Sequence, residues 1–168
     1  MDTFINEIQR KPYKTVNGIH VDKIREIADY LNIVDLAIYV APKHVIGLAG
    51  RCYPGINSRV LELATEFDPL KFKNKHFEGV PTATEAGWLL VLHELCHADK
   101  DVAKLTSANY SKYLQAQKQD AILQGREKAT ENQKAFIANL KDRMAVKEDE
   151  ADRWAVEMFH MLKAEGKI

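Results

Sequence analysis

The stretch Leu89-Leu90-Val91-Leu92-His93-Glu94-Leu95-Cys96-His97-Ala98-Asp99 is the informative segment of the chain. It joins an apolar run to a His-Glu-x-x-His pattern. Residues four apart lie on one helix face, so His93 and His97 can present two imidazoles to a single metal ion. Glu94 can lean toward an activated water without ligating the metal. Upstream, Thr82-x-x-Glu85 is a capping box that starts the helix and sends it through Trp88, Leu92 and His97 toward Asp101. The apolar run ahead of the motif marks a buried helix, whose ionisable residues need compensating partners.

A catalytic zinc takes three protein ligands and keeps one position open. Lys100 and Ala103 stand where the extended motif His-Glu-x-x-His-x-x-Gly-x-x-His needs Gly and His, and only His160 follows the motif. A downstream glutamate fits better. Residues 146–155 place Glu148 and Asp152 at i, i+4 on one helix face. Glu148 can ligate, and Asp152 can accept the free N–H of a ligating His and fix its tautomer. Glu150 is the rival ligand, but its own i+4 partner is Trp154, which cannot serve a histidine in that way.

The run HELCHADKD resembles the active-site helix of thermolysin-like peptidases. EDEADRWA resembles the glutamate helix of gluzincins and the corresponding run of small ImmA/IrrE-type metallopeptidases. HELCHA is also similar to SprT-like metallopeptidases, which complete their site with a His. The resemblance covers about residues 20–101 by architecture, and 85–101 and 146–160 by motif. It implies that His93, His97 and Glu148 bind zinc, that Glu94 is the general base and that Asp152 orients a ligand. It also implies a zincin-like order of helix, short sheet, active-site helix and glutamate helix.

Outward from the motif, the 168 residues suffice for one domain, read as spanning 1–168. Hydrophobic residues at 46% and charged residues at 29% fit a chain that buries a core, which excludes a disordered tail. Lys+Arg and Asp+Glu both number 24, so there is no basic surplus and nucleic-acid binding is not expected. No apolar run reaches the roughly 18 residues of a membrane span. Residues 1–10 lack a signal-peptide pattern, and two cysteines make no disulfide framework; a cytoplasmic protein is expected.

All five Pro and five of the eight Gly precede Thr82, so strands and turns belong to the first half and helices to the second. Residues 21–31 read as a helix ended by Asn32. Residues 36–40, 44–53 and 59–64 read as three short strands, with Leu61 and Leu63 on one face and Glu62 on the other. Lys71, Lys73 and Lys75 alternate with Phe72, Asn74 and His76 in what reads as a solvated edge or loop. Residues 107–123 read as a polar helix broken near Gly125. Residues 126–165 lack Gly and Pro and carry a stripe from Phe136 through Met158, as one long helix or two in series. The fold class is therefore α+β, with a helical insert over 104–145 between the two motif helices.

The remaining candidates have plainer readings. His160 lies about 120° round the helix from Glu148, off the ligand face. Tyr110 and Tyr113 pack the insert, Cys96 belongs to the core, and Asp99 and Asp101 are solvated, although Asp101 matches the thermolysin-like run. His20, His44 and His76 show no ligand spacing. A strand within residues 45–52 could take a substrate backbone along its edge. The expected function is a zinc-dependent peptidase in which Glu94 and a metal-activated water hydrolyse a protein or peptide substrate. The alternative is a non-catalytic zincin-fold module acting through the insert.

Overall fold

The computed structural model describes residues 13–55, 57–106, 110–125 and 129–168. Residues 1–10 and the start of the helix expected from residue 107 lie outside them, as does the side chain of Tyr110. The described residues begin with a hairpin of two-residue strands, β1 (Thr15–Val16) and β2 (Ile19–His20). Asn17 and Gly18 both have positive φ, 46° and 85°, which two-residue hairpin turns demand. Helix α1 (Val21–Tyr30) follows; it is capped by the His20 side chain and buries Ile24, Ile27 and Ala28. Asn32, with φ 59°, ends it as expected.

Strand β3 (Leu36–Ala41), the one-turn helix α2 (Lys43–Ile46), β4 (Gly50–Gly55) and β5 (Ser58–Ala64) come next. The sheet order is β3-β5-β4, with β5 parallel to β3 and antiparallel to β4. The strand expected over 44–53 thus survives only in its second part. Pro42 sets the N-terminus of α2 and Gly47, at φ 86°, closes it, so residues 43–46 curl instead of extending. Alternation places Leu61 and Leu63, both fully buried, on one face of β5. Glu62, on the other face, accepts hydrogen bonds from Arg51 (2.8 Å) and the Tyr53 hydroxyl (2.9 Å).

Helix α3 (Ala83–Lys100) crosses the Leu61/Leu63 face, and both halves of the Thr82/Glu85 capping box are formed. Residues 86–96 of α3 are all buried, because the sheet covers one side and a second helix another. Gly50 lets β4 lie close: a Cβ there would sit 3.2 Å from Leu63 Cδ2 and 3.3 Å from Leu90 Cδ1.

The second half holds α4 (Tyr110–Leu123) and α5 (Glu131–Ala164). Residues 131–164 form one continuous 34-residue helix rather than two in series. Its C-terminal half buries Ala151, Ala155, Phe159 and Leu162, and the two alanines admit close approach to α3. The helices run antiparallel, with Lys163 paired to Glu85 at one end (3.5 Å) and Lys147 to Asp101 at the other (3.2 Å). The N-terminal half of α5 stands away from the body with Phe136, Met144 and Val146 exposed. Among the described residues no helix is long and apolar enough to cross a membrane.

This division of α5 has a measurable consequence. Leu61→Ala, in the sheet–helix core, should cost about 3 kcal/mol in denaturant unfolding. Phe136→Ala, on the half that stands clear, should cost no more than about 0.5 kcal/mol. Equal losses would contradict the division.

Candidate metal centre

One face of α3 and one face of α5 meet at His93, His97 and Glu148. The Glu148 carboxylate spans the two imidazoles, with Oε2 3.0 Å from His93 Nε2 and Oε1 3.0 Å from His97 Nε2. The two Nε2 atoms lie 3.1 Å apart. Among the described residues, these three side chains converge closely enough to hold a metal ion. Donor atoms each about 2.1 Å from a tetrahedral ion would lie about 3.4 Å apart; the Nε2–Nε2 separation and each Nε2–carboxylate contact are a few tenths of an ångström shorter, with the two histidines facing different oxygens of Glu148. Glu150, two residues on, is about 200° round the helix and is exposed.

The other ring nitrogens explain why the imidazoles point inward. His93 Nδ1 donates to Asp152 Oδ1 at 2.7 Å, as the Glu148/Asp152 spacing leads one to expect. His97 Nδ1 donates to Asp101 Oδ2 at 2.9 Å. Each ring is thus held as the Nδ1–H tautomer, with the Nε2 lone pair facing its neighbour and the Glu148 carboxylate. Lone pairs and a carboxylate at such distances repel unless a cation, proton or metal, lies among them.

The electrostatics express the same demand. Burial pushes His93 down, but hydrogen bonds to Asp152 and Glu148 outweigh it and bring the imidazole up to about 10. The bond to Glu148 raises His97, against burial and with help from Asp101. Glu148 itself is held well below the ordinary carboxylate range by its bonds to the two histidines, against the cost of burial. For Asp101, burial is outweighed by His97 and Lys147, and its carboxyl is lowered.

Glu94 lies on the β4 flank. It is 7% exposed, and its carboxylate accepts a hydrogen bond from the Cys52 backbone N–H. Burial raises its pKa, against the pull of His93 and His97. The opposite flank is built by the loop that leads into α3. There buried Asn74 donates to the Asp152 carbonyl at 2.9 Å, and His76 Nε2 lies 2.9 Å from Asp149 Oδ1. Lys75 pairs with the same oxygen at 2.6 Å.

Several sequence expectations change here. Asp101, read as solvated, orients His97; its match to the thermolysin-like run was the available signal. Asn74, in the segment read as solvated, is buried because it fastens that loop to α5. Cys96 is buried as expected, and both cysteines are free thiols. His160 stacks on Phe77 with ring planes 8° apart. Tyr113 accepts from Gln117 within α4.

No protein-family model, curated protein or solved structure matches the chain. The geometry of the centre therefore stands by itself.

Two outcomes follow. Asp152→Asn and Asp101→Asn should each weaken metal binding by roughly 10–100-fold, measured by competition with a chromophoric chelator. The second concerns pH. The folded-state pKa of His93 is raised from 6.5 to about 10, so its stabilisation of the metal-free fold is complete below pH 6.5 and is lost as pH rises through about 10. A metal competes with these protons and therefore binds more tightly as they leave. With chelator the melting temperature should fall above pH 6.5, and the increment given by metal should grow over the same interval. A metal increment that shrinks with rising pH would contradict this assignment.

Proposed function

We propose that the protein is a zinc-dependent peptidase with His93, His97 and Glu148 as metal ligands and Glu94 as general base. The observation that carries this reading is the outward commitment of both Nδ1 atoms to aspartates, which leaves two Nε2 lone pairs and one carboxylate converging. Structural zinc sites close all four positions with protein ligands, whereas catalytic sites use three and leave one open. Among the described residues, three converge.

A zinc ion held by His93, His97 and Glu148 would supply Lewis acidity toward a scissile carbonyl and an attacking water. Glu94 takes the proton of that water. Its buried position raises its affinity for a proton, which suits a base that must later return one. Asp152 and Asp101 hold the two imidazoles in register throughout.

Beside Glu94 the sheet offers a place for an extended backbone. Ala64 N–H donates to the Ala49 carbonyl at 2.7 Å, so the alternation along β4 turns the backbone groups of Gly50 and Cys52 away from β5, and the Cys52 N–H is already taken by Glu94. β4 is an edge strand, and a peptide could add there. Pro54 shares that parity, so its missing N–H costs β5 nothing. At the far end the Leu105 N–H bonds the Gly55 carbonyl at 2.9 Å. A protein or peptide substrate fits this arrangement.

Glu94→Gln decides the mechanism. Cleavage of an unstructured protein substrate should fall by about 10²–10⁴-fold while one zinc remains bound per chain. Full activity in that variant would refute the assigned base.

A further inference from the structure

The i, i+4 ridge of α5 that carries Glu148 and Asp152 also carries Phe136, Leu140 and Met144, three successive turns toward the N-terminus. Phe136 is 50% exposed and Met144 43%. With Ala116 and Leu123 of α4 these residues floor a groove of about 610 Å³, whose charged edge holds Lys112, Lys118 and Asp120, a net positive rim. The groove thus ends one helical turn before a metal ligand. Residues 104–147 hold nine Lys/Arg and four Asp/Glu, while the whole chain is neutral, so the helical arm is basic and the rest acidic.

We infer that this groove docks an acidic amphipathic helix of the substrate and delivers the adjoining chain to the metal centre; the inference rests on the peptidase reading. Two helices with an apolar seam between them are completed by a third. An extended peptide would leave its backbone unpaired there, since neither α4 nor α5 offers a strand edge, whereas a helix satisfies its own backbone. The lysines along the rim select acidic flanks. The ridge winds round α5, and Met144, its last member, lies one turn and about 40° from Glu148, so binding on the arm raises the local concentration of the following residues at the site.

The test uses the full-length, zinc-loaded Glu94→Gln protein and two labelled synthetic helices of roughly 18 residues, about five turns. Both carry one leucine stripe, flanked by Glu in one probe and by Lys in the other. Anisotropy should show the Glu-flanked helix binding about tenfold tighter at low salt, with the preference fading as salt rises. Phe136→Glu with Met144→Glu should weaken it at least about tenfold. Lys112→Glu with Lys118→Glu, which leaves the seam intact, should reverse the charge preference. Unchanged helix content and zinc stoichiometry certify the variants.

Equal binding of the two probes, or binding that neither variant moves, overturns the inference. So does a concentration-dependent dimer in sedimentation that Phe136→Glu with Met144→Glu dissociates, since a second copy would then fill the groove. In the wild type, tethering the Glu-flanked helix to a cleavable extended segment should lower KM and leave kcat unchanged. Tethering without effect on KM shows that the docked helix is not substrate-borne and overturns that part. Docking with no cleavage of any segment refutes the peptidase reading and the substrate assignment with it, but leaves the acidic-helix site itself in place.

Discussion

Everything at the centre depends on the close antiparallel contact of α3 with the second half of α5. Ala151 and Ala155 bring the two backbones together, and only then can one carboxylate span two imidazoles on the opposing helix. Lys163–Glu85 and Lys147–Asp101 tie the pair at its two ends. The sheet sets the rotation of α3, since Gly50 and Leu63 receive Leu90 and turn Glu94 toward β4. A rotation of either helix by one residue, about 100°, would scatter the ligands.

The outer partners orient the two imidazoles. Asp152 comes from the helix opposite His93, whereas Asp101 comes from the C-cap of the helix that bears His97. Each holds one ring in the tautomer that leaves Nε2 free. Lys147 braces Asp101 from the neighbouring helix, so the arm leaves the body at a point coupled to a ligand's orientation. Because α5 is continuous, the basic arm and Glu148 lie on one helix.

Much of this was legible in the sequence because it is written in local periodicity. His93, His97, Glu148 and Asp152 are two i, i+4 pairs, and the Thr82/Glu85 box marks where the first helix starts. The contrast between Glu148 and Glu150 needed only the helical angle to Asp152. The misread parts depend on tertiary contact. Residues 43–46 turned helical through the flanking Pro42 and Gly47, and two hydrophobic residues there could not signal this. Asp101 and Asn74 are polar residues beside exposed neighbours, and their roles come from His97 and from the backbone of Asp152, 78 residues beyond Asn74. The exposed apolar seam of the arm read as an ordinary helical stripe, since periodicity does not tell whether a partner covers it.

The central claim is that three side chains from two helices hold one catalytic metal ion. Calorimetric titration of the metal-free protein with zinc tests it most directly, with Glu148→Ala and Glu150→Ala in parallel. One zinc per wild-type chain is expected, the same for Glu150→Ala, with binding weakened at least about a hundredfold for Glu148→Ala. Wild-type protein that takes up no zinc, or Glu148→Ala that binds as tightly as wild type, would contradict it.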